Sequence, residues 1–181
     1  LREALTNCSK PDLFQHVEQP ASWSRDLASL LVDWRDPAPV QAGPRTLVLR
    51  SPVLAVGVGC RFGAFSQDIL SLVERTFKEH CLALSSIQAL VSVTDKLNEP
   101  GLNDAARHLG VTFRCFPPDD LNQVEVPNPS DAPLRHLGTK SVAEAAALLY
   151  ARGGPLIVQK TKNELATVAV ALSVGYLCSE S

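Results

Sequence analysis

The chain has 181 residues, 45% of them hydrophobic and 20% charged, with a formal net charge of −2. That length holds one domain with an extension, or two small ones, and the apolar share is ordinary for a globular protein. The charge balance and the lack of a Lys/Arg cluster interleaved with aromatics exclude a nucleic-acid footprint, and no apolar run nears the roughly 20 residues of a membrane helix, so neither nucleic acid nor membrane is an expected partner.

The opening LREALTNCSK lacks the apolar core of a signal peptide. With Leu1 first and no methionine anywhere, the sequence reads as a piece of a longer chain or a trimmed start. Cys8, Cys60, Cys81, Cys115 and Cys178 form no C-x-x-C pair and are odd in number. Reduced thiols in a cytoplasmic protein are expected, not a disulfide framework. The histidines His16, His80, His108 and His136 are scattered, and no metal site is expected.

Residues 1–51 are punctuated by Pro11, Pro20, Pro37, Pro39 and Pro44 and read as an arm or the linker remnant of a preceding domain. Within them, the spacing of Trp23, Leu27, Leu30, Leu31 and Trp34 predicts a helix from Ser22 or Ser24 through Trp34. The run DPAPVQAGP is a linker, and Thr46–Leu49 a short edge strand. From Pro52 the pattern becomes regular, and residues 52–175 are assigned to one α/β domain, with 176–181 as a tail.

Val53–Val58 is an apolar run bounded by glycines and reads as a buried strand. Gly57, Gly59 and Gly63 follow the pattern G-x-G-x-x-x-G, with Arg61 among them. Ser66 is a suitable N-cap for the helix SQDILSLVERTF, with Asp68 in its first turn. Strand, glycine loop and helix N-terminus together offer unpaired N–H groups to an anion. The pattern is not the dinucleotide fingerprint G-x-G-x-x-G, and no G-K-S/T follows, so a plain strand–helix connection is the simpler reading.

Ile87–Val93 is a second buried strand, followed by the loop TDKLNEPGL. Asn103 caps a short helix ending at Gly110, and Val111–Phe116 is a third strand. The proline-rich PPDDLNQVEVPNPSDAP is a surface excursion. Ser141 begins a strong helix closed by Gly153-Gly154. Leu156–Gln159 and Ala166–Leu172 are strands joined by KTKNEL as a hairpin. The predicted fold is a layered α/β/α domain with a mixed, mostly parallel sheet ending in a β-hairpin, plus the N-terminal extension.

Ligands gather beyond the C-terminal ends of strands in such sheets. The loops Gly59–Gly63 and Thr94–Leu102 and the region Gly138–Ser141 meet there if the first strands are parallel. The second loop carries Asp95, Lys96 and Glu99. A carboxylate beside a lysine is an acid–base pair if burial perturbs both, and otherwise a solvated turn with an incidental ion pair. Lys160 and Lys162 alternate along a strand and share a face, either as an anion clamp or as a charged hairpin edge.

VGVGCRFG, K-x-x-E-P-G-L at Lys96–Leu102, SVAEAAALL from Ser141, and K-x-K at Lys160–Lys162 with TVAVA occur in one order. Together they resemble the C-terminal domain of the CbiG/CobE family, the cobalt-precorrin-5A hydrolases and CobE proteins of cobalamin biosynthesis. The resemblance covers about Pro52 to Leu172. Thr94 stands where the hydrolases often carry Asp, and Gln159 where they carry proline. The resemblance implies a hydrolase that opens a ring lactone on a cobalt-bound tetrapyrrole and releases acetaldehyde. Cobalt then belongs to the substrate, and no separate cofactor is implied. Arg61, Lys96, Lys140, Lys160 and Lys162 would hold substrate carboxylates. Glu99, with Lys96, would be the acid or base, and Gly57, Gly59, Gly63 and Ser141 would border a carboxylate or the developing oxyanion. Implied partners are a cobalt-precorrin or related corrinoid, the missing N-terminal domain, and other enzymes of the pathway. A non-catalytic corrinoid carrier of the CobE type is the alternative, and a phosphate- or nucleotide-binding domain a further one.

Overall fold

A computed structural model describes residues 29–36, 46–129 and 141–173. Strands β1 (Ser29–Val32) and β2 (Thr46–Leu49) pair in parallel as a small separate sheet. The helix expected through Trp34 is therefore replaced by strand at its described end; residues 22–28 lie outside the described residues. The physical reason is pairing. Leu30-Leu31-Val32 is an apolar run that serves a strand as well as a helix, and the partner TLVL decides between them. Trp34 packs against the main core, and its carbonyl accepts from the Ala83 N–H at 3.1 Å.

The main sheet comprises β3 (Leu54–Cys60), β4 (Ile87–Val93), β5 (Thr112–Phe116), β6 (Leu156–Lys162) and β7 (Ala166–Leu172), in the order β5-β4-β3-β7-β6. β3, β4 and β5 are parallel, whereas β7 runs antiparallel to both β3 and β6. Four of the five strands thus point one way, and β7 closes the predicted hairpin. The hairpin is tighter than KTKNEL suggests. β6 continues through Lys162, and Asn163 Oδ1 accepts from the N–H groups of Leu165 (3.0 Å) and Ala166 (2.7 Å).

Helix α1 (Ser66–Glu79) and helix α2 (Pro100–Leu109) cover one face of the sheet. Ile69, Leu72, Val73 and Phe77 of α1 fall at helical spacing and pack on Val56, Val58 and Val168. Ser66 is the first helical residue of α1; the cap is Phe65, without a side-chain hydrogen bond. α2 begins four residues earlier than a cap at Asn103 implies, because Pro100 suits a first helical position. Asn103 instead donates to the carbonyls of Leu97 and Glu99, and Gly110 closes α2 in a left-handed conformation as expected.

The opposite face carries α3 (Pro118–Asn122) and α4 (Val142–Ala151). The segment after β5 is not a plain surface excursion, since Leu121 of α3 is buried and Val124 and Val126 pack beside it. α4 is apolar nearly all round, as a helix pressed into the core must be. Its alanines let its backbone lie directly on β3: a Cβ placed on Gly57 would stand 2.8 Å from the Ala143 carbonyl carbon and 3.0 Å from the Ala147 nitrogen. Gly59 faces Val142. α4 therefore runs against β3 and points its N-terminus at the edge where β3, β4, β5 and β6 end. No helix among the described residues is long and apolar enough to cross a membrane.

Candidate functional site

Two of the three predicted loops reach one edge of the sheet. Loop 61–65 leaves β3, and the turn Thr94–Lys96 leaves β4. The third, near Gly138, and Lys140 lie outside the described residues. The β6–β7 turn and the start of α4 complete the edge.

On the α1–α2 side the centre is Glu99, whose side chain is 2% exposed. Its Oε1 accepts from the Gly63 N–H at 2.9 Å and its Oε2 from Lys96 Nζ at 3.1 Å. Gly63 has φ +76, which a side chain rarely adopts, and this turn aims its N–H at Glu99. Lys96 Nζ also lies 5.5 Å from the centre of the Phe62 ring. Both carboxylate oxygens are thus engaged, and Glu99 braces the glycine loop against the start of α2. Cys60 stands beside this pair; burial first, then the Glu99 charge, push its thiol up to about 11, against the opposing pull of Lys96.

Three of the five N–H groups expected to form an anion cradle at loop 61–65 are engaged within the chain. Arg61 N–H donates to Leu165 O at 2.9 Å, Gly63 N–H to Glu99, and Ala64 N–H to Arg61 O at 3.3 Å. Gly57 faces the α4 backbone, not a ligand, and Gly59 lies under Val142 and Thr167. The N-terminus of α4 stands at the same edge without a side-chain cap. Its N-cap, Ser141, makes no side-chain capping bond, and the buried Ser141 Oγ has no partner among the described residues. The first N–H groups of a helix have no intrahelical acceptor, and the dipole there favours negative charge.

On the α4 side, Glu144 is fully buried in the first turn of α4. Its Oε1 accepts from Lys160 N–H (3.0 Å) and Asn128 Nδ2 (2.9 Å), and its Oε2 from Asn128 N–H (3.1 Å). Lys160 Nζ donates to the Asn128 carbonyl at 2.9 Å. Lys162 pairs across the hairpin with Thr167, whose hydroxyl donates to Gly59 O at 3.3 Å. The guanidinium of Arg61 and the ammonium of Lys162 have no acidic partner among the described residues.

The candidate cations therefore share one edge but lie on both sides of the sheet, Lys96 with the α1–α2 layer and Lys160 with α4. Sequence reading missed Glu144, although one acid inside VAEAAALL is the signal of a buried, satisfied carboxylate. It also missed Asn128, for which the chain holds no local cue. Among the described residues no set of three His, Cys, Asp or Glu gathers as a metal site.

The family described as Cobalamin synthesis G C-terminus matches residues 54–171. A cobalt-precorrin-5A hydrolase of Priestia megaterium is 33% identical over 126 residues, 70% of this chain and 34% of the relative. The chain thus spans about a third of that hydrolase. Protein CobE of Sinorhizobium sp is 31% identical over 121 residues, 65% of this chain and 79% of the relative. The solved structure of CobE, a protein from the cobalamin (vitamin B12) biosynthetic pathway, superposes with a TM-score of 0.63 at 37% identity, covering 66% of this chain and 89% of that one.

Proposed function

The chain belongs to the Cobalamin synthesis G C-terminus family of cobalamin biosynthesis, and from that premise we propose that its C-terminal sheet edge binds a cobalt-precorrin or related corrinoid, as the C-terminal domain of a lactone-opening hydrolase. The observation that carries this reading is the α4 end of the edge. There, among the described residues, an uncapped helix N-terminus, the partnerless Ser141 Oγ and Lys162 without an acidic partner, together with Arg61 of loop 61–65 along the same edge, offer several anchors for a ligand rimmed with carboxylates. Lys96 and Lys160 support the edge through Glu99 and Asn128, and each can turn to a substrate carboxylate at the cost of its present partner. Ser141 precedes α4 directly, where a carboxylate at the helix end would meet it.

In the hydrolase reading, water adds to the lactone carbonyl, the ring C–O bond breaks, and acetaldehyde leaves in the following C–C cleavage. An N–H pair at the start of α4 would donate to the developing oxyanion. Glu99 can act as a base only after releasing Lys96 or Gly63. That engagement favours the second reading, a corrinoid-binding module without chemistry of its own, for this domain in isolation.

Absorbance titration with a polycarboxylate corrinoid tests the binding. Arg61→Ala and Lys162→Ala should each weaken it about tenfold to a hundredfold, the effect of losing one charged hydrogen bond of roughly 1.5–3 kcal/mol. Unchanged affinity in both variants removes the clamp. Acetaldehyde release by the intact protein and its Glu99→Gln variant then separates the readings. Release that survives the substitution assigns Glu99 to support alone.

A further inference from the structure

Loop 61–65 and the turn after β4 expose apolar side chains where a folded chain would ordinarily bury them. Phe62 is 94% exposed, Phe65 75% and Leu97 52%. They are half of the large exposed hydrophobic residues among the described ones; Leu47 and Leu49 belong to the small N-terminal sheet, and Leu84 to the connection before β4. The backbone that presents them is held firmly. Gly63 N–H is tied to the buried Glu99, Arg61 N–H to Leu165, and Lys96 Nζ stands over the Phe62 ring. The aromatics are thus displayed by a braced loop.

Their surroundings specify the kind of ligand. Arg61 sits in the same loop with no acidic partner among the described residues, and Lys96 contacts the Phe62 ring. Of the acids nearby, Glu99 is buried and neutralised by Lys96, while Asp95 in the adjoining turn and Glu164, next to the Leu165 whose carbonyl holds the Arg61 N–H, are exposed. An apolar surface with cations at its margin complements a molecule that has a broad apolar face and a carboxylate rim. A simple phosphate has no apolar face to lay on the phenyl rings.

We propose that Phe62, Phe65 and Leu97 form a platform on which one face of the tetrapyrrole macrocycle rests, while Arg61 grips a rim carboxylate. This assignment rests on the corrinoid reading of the edge and adds the residues that recognise the ring itself. Burial of the rings supplies contact that salt does not screen, and the basic groups supply contact that it does.

The test is absorbance titration with cobyrinic acid at several salt concentrations. The proteins compared are the wild type, Phe62→Ala/Phe65→Ala, Phe62→Leu/Phe65→Leu and Arg61→Ala. The alanine pair should lose at least tenfold in affinity at every salt concentration, with the dependence on salt unchanged. The leucine pair should recover most of the loss, and Arg61→Ala should flatten the salt dependence. Both phenylalanines are exposed, so thermal melts of the variants should match the wild type. Wild-type binding that survives the alanine pair within twofold overturns the platform alone, including the case in which that pair abolishes self-association instead. No binding by the wild type overturns the corrinoid reading and the platform with it.

Discussion

Gly57→Ala is the sharpest test of how this domain is assembled. The added methyl would lie 2.8 Å from the Ala143 carbonyl carbon and 3.0 Å from the Ala147 nitrogen, and nearer still to the Ala143 oxygen. Carbon atoms rest about 3.5–4.0 Å apart, so α4 must retreat by about an ångström. The obstacle is helix backbone, which cannot change rotamer. Overpacking of this kind costs about 1–3 kcal/mol, occasionally more, and a backbone clash belongs at the upper end. A loss of about 3 kcal/mol is expected in urea denaturation, a large share of the roughly 5–15 kcal/mol that holds a domain together. Because α4 also points its N-terminus at the site, corrinoid affinity should fall in protein that remains folded. Gly59→Ala is the matched control. There the added methyl meets the Thr167 hydroxyl at 3.3 Å and Val142 Cβ at 3.7 Å, and a loss below about 1 kcal/mol is expected. If Gly57→Ala costs no more than Gly59→Ala, the close approach of α4 to β3 is refuted.

Glu99→Gln keeps an acceptor for Gly63 N–H but strands the Lys96 ammonium, whose side chain is 11% exposed. A stability loss on the order of 3 kcal/mol is expected, and adding Lys96→Met should recover most of it; a denaturation midpoint unchanged by Glu99→Gln alone would sink the brace. Cys60 and Cys115 are both pushed up by burial to about 11, from 9.0. The folded chain keeps these protons where the unfolded chain loses them, so this stabilisation is full below pH 9 and is lost as pH rises to 11. Wild type should therefore lose more stability between pH 8.5 and about 11 than the Cys60→Ala/Cys115→Ala variant; equal losses would refute it. Arg152 caps α4 at φ 50, a left-handed conformation costing a non-glycine residue about 1–2 kcal/mol. Arg152→Gly should relieve it, less the roughly 0.5–1 kcal/mol of added chain entropy, leaving the melting temperature equal or higher; a clear drop would show that the guanidinium holds the cap.

Much of the fold was legible from local pattern. β3, β4 and β7 are short apolar runs, and a run buried on both faces has that appearance wherever it occurs. α1 and α4 were legible for the same reason, since helical spacing and an alanine-rich stretch are properties of neighbouring residues. The four motifs in one order also sufficed to suggest the family. Two of the errors fall where pairing outweighed local preference. Leu30–Val32 became strand because Thr46–Leu49 lay beside it, and KTK joined β6 because β7 extended that far.

The site divides in the same way. That Arg61, Lys96 and Lys162 come to one edge followed from placing loops at strand ends, a topological rule. Which charges are committed did not follow, because Glu99 with Gly63 is a contact across 36 positions and Lys160 with Asn128 one across 32. Gly57 illustrates the division most simply. Its sequence context marks a place where something approaches the backbone closely, but not whether that is a ligand or the chain's own helix. Only the packing of α4 onto β3 decides it, because the distance between two backbones depends on every side chain between them, not on the residue that makes room.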